Sequence, residues 1–200
     1  MKHISISPSH ISREGSCRVL ANYLKAADKF SSIQLTIVSQ PKALNLAANY
    51  KQILNSLKSN TSIEKLDIFL KNDSHEIVTL LSDLVSSQKC LRHVSIVFGI
   101  KIEQVLYTNF FQMIGQSKTL RSLSVNILSD GIAHDRDPIT RSLFGSLGKL
   151  NLNSLEVESD SVSEGMMRDV TNIVENMPML KELSLSLYGK LDDLDYFCGD

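Results

Sequence analysis

The chain has no tryptophan, only 3 cysteines and 4 prolines, and 9 glycines in 200 residues, and its charges nearly cancel to a formal net −1. Each shortage excludes something. Three scattered cysteines (Cys17, Cys90, Cys198) without a C-x-x-C pair argue against a disulfide framework. A near-neutral balance leaves no broad basic surface for nucleic acid or for an anionic membrane. No apolar run approaches the roughly 20 residues of a membrane span, and no charged-apolar-small leader precedes the first apolar segment. Cys198 is followed only by Gly199 and Asp200, which is not a prenylation box. The sparse glycines form neither a phosphate-binding loop nor a G-x-S-x-G elbow, and the five histidines (His3, His10, His75, His93, His134) make no H-E-x-x-H pair. The expectation is a protein of the cytosol that is not an enzyme and uses no cofactor or metal.

What the chain does have is repetition. The segment "LKSNTSIEKLDIFL" (57–70) steps from Ile63 to Leu66 by three and from Leu66 to Ile68 by two, a helical step followed by a strand step. The same apolar-x-x-apolar-x-apolar signature recurs in "MKHISI", "FSSIQL", "LRHVSI", "LRSLSV", "LNSLEV" and "LKELSL". Its middle anchors are Ile4, Ile33, Leu66, Val94, Leu123, Leu155 and Leu183, spaced 29, 33, 28, 29, 32 and 28 residues apart. Self-similarity at such a period marks a solenoid. About seven repeats are expected, in one domain spanning residues 1–200.

The residues between anchors carry helical periodicity. Leu46, Tyr50, Ile53, Leu54 and Leu57 make one apolar face, and Ile77, Leu80, Leu81, Leu84 and Val85 another. Val105, Leu106, Phe110 and Ile114 make a third, and Met166, Met167, Val170, Ile173 and Met177 a fourth. Asp73-Ser74 and Asp137-Pro138 are suited to helix starts, and Pro178 stops the helix before it. Longer connections, "VSQPK" (38–42) and "SDGIAHDRDP" (129–138), fall on the exit side of strands.

A strand–helix alternation of this length requires parallel strands with helical crossovers. Strands pair about 4.8 Å apart, whereas helices pack about 8–10 Å apart. The array must therefore bend, strands inside and helices outside. The expected architecture is an α/β horseshoe with a concave sheet and convex helices. No polar capping unit flanks the first or last repeat, so either the chain is an excised piece or its ends are covered in an unusual way.

The junction "LKSNTSIEKLDI" resembles that of ribonuclease-inhibitor-like leucine-rich repeat proteins, and the resemblance covers nearly the whole chain. That family places Asn or Cys three positions after the second strand anchor, where this chain has Ser9, Val38, Lys71, Gly99, Leu128, Asp160 and Tyr188. A divergent member is implied. The acidic C-terminal stretch with Asp192, Asp193, Asp195 and Phe197, in a chain rich in Ser, Asn and Lys, resembles the export signals of effectors injected by intracellular bacteria. Those acidic residues equally suit the first turn of a last helix.

Candidate chemistry is thin. Asp130, Asp135 and Asp137, with His134 among them, offer three carboxylates and an imidazole to a cation or simply a solvated loop ending in a helix cap. Cys90 beside His93 has the composition of a nucleophile pair, yet its place at a helix–strand junction is read as a buried, inert thiol. Phe110-Phe111 and Met166-Met167 are read as core by their helical spacing.

Function is therefore expected from a surface: a binding module that holds another protein on its concave sheet, a monomer on its own. The alternative is an enzyme activator such as a GTPase-activating repeat protein. Period two names the outward strand positions. They are Lys65, Asp67 and Phe69, then His93, Ser95 and Val97, then Ser122, Ser124 and Asn126, then Ser154, Glu156 and Glu158. Phe69 and Val97 are expected as exposed apolar neighbours rimmed by Lys65, Asp67, His93 and Asn126; the alternative is that a loop or the strand exits cover Phe69. Glu156, Glu158 and Glu182 make the C-terminal end of the face acidic.

Overall fold

Seven strand anchors align side by side in one parallel sheet. A computed structural model describes residues 3–26, 30–38, 46–71, 75–99, 104–127, 137–148, 150–159 and 164–188. The strands are β1 (His3–Ile6), β2 (Ser32–Val38), β3 (Lys65–Lys71), β4 (His93–Phe98), β5 (Ser122–Ile127), β6 (Ser154–Ser159) and β7 (Glu182–Leu187). They stand in sequence order from β1 to β7. Every pairing keeps the anchors in line: Ile4 pairs with Ile33, Ile33 with Leu66, Leu66 with Val94, Val94 with Leu123, Leu123 with Leu155 and Leu155 with Leu183.

Helices fill the intervals. They are α1 (Pro8–Ile11) and α2 (Glu14–Ala26), then α3 (Leu46–Lys58), α4 (His75–Ser87), α5 (Gln104–Ile114), α6 (Asp137–Leu147) and α7 (Glu164–Asn176). Each helix from α2 to α7 packs on its neighbours in order, so the helices form a second layer alongside the sheet. Helix α7 stops before Pro178, as the missing N–H requires. Residues 72–74 with their Asp73-Ser74 start, the loop residues Asp130, His134 and Asp135, and residues 189–200 lie outside the described residues.

Three rows of side chains run across the buried face of the sheet. Leu66, Val94, Leu123 and Leu155 form the first, Leu35, Ile68, Ile96, Val125 and Val157 the second, each at most 3% exposed. A third row, not marked by the repeat signature, holds Ile37, Leu70, Phe98 and Ile127. At β6 its place is taken by Ser159, which is equally buried. In the fourth repeat Phe98 sits among Tyr107, Phe110 and Phe111, with ring centroids 4.6, 5.7 and 5.7 Å away. Phe110 and Phe111 are thus core, as their spacing implies.

A backbone ladder joins successive repeats at the strand entrances. The Ser31 carbonyl accepts from the N–H groups of Glu64 and Lys65, both at 2.9 Å. Glu64 accepts from Arg92 and His93, Arg92 from Arg121 and Ser122, Arg121 from Asn153 and Ser154, and Asn153 from Lys181 and Glu182. At the strand exits the Gly99 N–H donates to Leu70 and the Tyr188 N–H to Ser159, at 2.6 and 2.8 Å. Gly99 must be glycine because a Cβ there would lie 2.8 Å from the Leu70 carbonyl oxygen.

The two described thiols behave differently. Cys17 is buried between α2 and α3, its S–H donating to the Asn49 carbonyl at 3.4 Å and to Gln52 Oε1 at 3.5 Å. Burial raises its pKa, and the nearby Glu14 carboxylate adds to the rise. Cys90 corrects the expectation of a buried thiol: it is exposed. The chain turns there so that the next residue, Leu91, takes the core position, leaving Cys90 on the outside.

Two measurements follow from this packing. Leu66→Ala and Leu123→Ala should each cost about 2–5 kcal/mol in denaturant unfolding, because each leaves a cavity. Leu183→Ala, at a side chain already 38% exposed, should cost clearly less; equal losses at all three would show the core to be placed wrongly. Native-state alkylation in a Cys198→Ser background should label Cys90 and spare Cys17. The Cys17 stabilisation is complete below the thiol's unfolded pKa of about 8.5 and declines as pH rises through its raised folded value.

Candidate concave binding face

The register sets the outward side chains in three rows that cross the sheet. Lys65 stands beside His93, which leads to Ser122 and Ser154. Asp67 stands beside Ser95, then Ser124 and Glu156. Phe69 stands beside Val97, then Asn126 and Glu158. All twelve outward positions named from the sequence therefore lie on one face of four adjacent strands. Extended by one strand on either side, the last row runs from Thr36 on β2 to Ser186 on β7.

Exposure on this face differs from expectation at its apolar spot. Lys65, His93 and Glu156 are exposed, whereas Asp67, Ser95, Ser124, Asn126 and Glu158 are half-buried. Phe69 and Val97 are half-buried too, rather than exposed. Directly paired strands hold neighbouring side chains close enough to cover one another, and the inner side of a curved sheet closes that distance further. Phe69 is flanked by Thr36 and Val97, which shield its sides and leave part of the ring facing the concavity.

The charges separate along the sheet. On β3 the Lys65 ammonium lies 3.2 Å from the Asp67 carboxylate, so this pair largely cancels itself. On β6 no such cancellation occurs among the described residues. Glu156 accepts a hydrogen bond from the Ser124 hydroxyl at 2.8 Å, and Glu158 accepts from the Asn126 amide. Neutral donors orient the two carboxylates without removing their charge. Glu182, in the first outward row of β7 next to Ser154, adds a third carboxylate to the same end. The face thus carries an apolar centre at β3–β4 and an anionic end at β6–β7.

Among the described residues no three His, Cys, Asp or Glu side chains group closely enough to hold a metal ion, and no helix is long and apolar enough to cross a membrane. The Asp130, His134 and Asp135 cluster falls outside those residues, as do the side chains of Met166, Met167 and Asp137.

No protein-family pattern matches this sequence, and no curated protein matches it either. Its fold, however, is similar to the C-terminal domain of tropomodulin from Caenorhabditis elegans, solved by structural genomics. The likeness covers 80% of this chain and 92% of that one, with a TM-score of 0.56 and 10% identity. At that identity the likeness concerns the fold, and it agrees with the strand order, register and helix layer above. The chain folds as a leucine-rich-repeat-like solenoid, with parallel strands on the concave side and helices on the convex side.

Proposed function

We propose that this solenoid is a protein-binding module and that its concave sheet holds a partner with a basic surface bearing an apolar anchor. One observation carries the reading: Glu156 and Glu158 are held by Ser124 and Asn126, with no cation set against them among the described residues. Oriented, uncompensated carboxylates beside the partly open ring of Phe69 give a partner both charge complementarity and a site to desolvate. A surface of this kind binds without chemistry, and we read the chain as a regulator or scaffold rather than an enzyme. The cytosol suits its unpaired thiols. The acidic C-terminal stretch motivates a bacterial effector as the setting, a reading that rests on the sequence alone. Deleting residues 189–200 should then abolish translocation into a host cell, and undiminished export would remove that setting.

Affinity capture with the wild-type chain and two concave variants tests the binding surface. A partner retained by wild type should be lost from a Glu156→Lys, Glu158→Lys double variant, whose melting temperature should remain near the wild-type value. Phe69→Ser should weaken the same partner at least about tenfold, with some loss of stability because the ring is half-buried. A partner held equally by wild type and the charge-reversed variant would move the binding site off this face.

A further inference from the structure

The strand-entrance edge of the fourth and fifth repeats gathers charge of one sign. In both repeats the turn that leads into the strand carries cations at the same two places around a leucine, Leu91 in one and Leu120 in the other. Lys89 and Lys118 come two residues before it, and Arg92 and Arg121 directly after it. The leucines are buried in the core, which leaves the flanking residues at the surface. Lys89, Arg92 and Lys118 are exposed, and Arg121 is half-buried.

The backbone ladder fixes how closely these cations stand. The Arg92 carbonyl accepts from the N–H groups of Arg121 and Ser122, both at 2.9 Å, so the two arginines are set one strand apart, about 4.8 Å. Like charges directly opposite on paired strands repel. Elsewhere the chain answers its cations, with Lys51 paired to Glu76, Lys58 to Asp83 and Lys65 to Asp67. Among the described residues no carboxylate forms an ion pair with Lys89, Arg92, Lys118 or Arg121. Glu64, the exposed neighbour of Arg92 in the ladder, is no exception. The turn itself orients the Arg121 guanidinium, whose Nη1 donates to the Lys118 carbonyl at 3.2 Å and the Leu120 carbonyl at 2.7 Å.

We propose that this edge is a second protein-contact surface, at which Lys89, Arg92, Lys118 and Arg121 hold an acidic segment of a partner protein. A carboxylate matches the fork of a guanidinium, and carboxylates at neighbouring positions of one segment offset a repulsion that the chain leaves unanswered. The extent of the patch selects a narrow partner. The place of Arg92 is taken by Glu64 one repeat earlier, and that of Arg121 by Asn153 one repeat later. A bilayer or a nucleic-acid duplex laid along the edge would reach past the cations and meet Glu64. The edge is distinct from the outward rows that carry Glu156 and Glu158, so this contact stands or falls separately from the proposed concave binding.

The test uses the full chain with Cys198→Ser and a short fluorescent polyglutamate peptide, read by anisotropy at low salt. The peptide should bind, and Arg92→Gln with Arg121→Gln should weaken it at least about fivefold. Arg18→Gln with Lys25→Gln removes the same charge from exposed positions of α2 and should change it less than about twofold. Should the arginine variant fail to fold by circular dichroism, Lys89→Gln with Lys118→Gln alters only exposed side chains and should weaken the peptide at least about threefold. Saturating peptide should also slow alkylation of Cys90, which is exposed between Lys89 and Arg92, a local readout that net charge alone does not supply. Absence of peptide binding overturns the proposal, as does equal weakening by the edge and α2 variants, or alkylation of Cys90 at an unchanged rate. Phosphatidylserine vesicles or duplex DNA held through Arg92 and Arg121, when the peptide is not, overturn it too and assign the edge to that ligand.

Discussion

The carbonyl two residues before each strand anchor organises this molecule. It receives two N–H groups from the following repeat, and it does so at Ser31, Glu64, Arg92, Arg121 and Asn153. The bonds are made by backbone atoms, so the side chain at the position is free to be a hydroxyl, a carboxylate, a guanidinium or an amide. Holding the entrance of every strand in step sets the strand spacing near 4.8 Å. Helices cannot pack that closely, so the helix layer spreads and the sheet becomes the inner surface. At the strand exits, N–H groups of Gly99 and Tyr188 bind the carbonyls of the preceding strand. The register is therefore held by backbone atoms, and the positions three residues after the second anchors carry Ser9, Val38, Lys71, Gly99 and Tyr188 rather than one recurring side chain.

The same constraint shapes the concave face. Side chains in a row stand one strand apart, so small residues fit with little strain and larger ones must lean on a neighbour. Serine fills much of the face: Ser32, Ser95, Ser122, Ser124, Ser154, Ser184 and Ser186 all sit in outward rows. Against that background two features stand apart. The Phe69–Val97 pair is close enough to cover itself in part, and the β6 carboxylates are close enough to take hydrogen bonds from β5. Both are cross-strand interactions between directly opposite residues, and both depend on a register that the buried anchors maintain.

How much of this could be read from the sequence depends on the strength of each local signal. The anchors carry the full contrast between buried and exposed, and Leu66, Val94, Leu123 and Leu155 all occupy their expected places. The outward rows follow from period two, and Lys65 to Glu158 share a face as expected. Helices α1 and α2 gave no readable face. The buried residues of α2 are Cys17, Ala21 and Leu24, two of them small, so their periodicity is weak. The third inward row was hidden because Ser159 interrupts its apolar character. Phe69 and Cys90 depart from expectation for a related reason. Period says which way a side chain points, and burial also depends on what the adjacent strand or turn brings beside it.

Stability in such an array is close to a sum of repeats and nearest-neighbour contacts. The terminal strand lacks one neighbour among the described residues, which explains why Leu183 is open while Leu155, one strand inward, is 1% exposed. Of the carboxylates of the proposed binding face, Glu182 lies on the more open strand β7, and Glu156 and Glu158 lie on β6 beside it. A partner spanning Glu156, Glu158 and Glu182 would supply some of the missing contacts from the inner side and favour the folded state by mass action. Local opening is cheapest where buried apolar contact is least, so the gain would be largest in β7 and α7 and smallest in the aromatic-filled fourth repeat. The open β7 strand and the uncompensated carboxylates thus adjoin among the described residues, and binding at the concave face would couple to the order of β7 and α7.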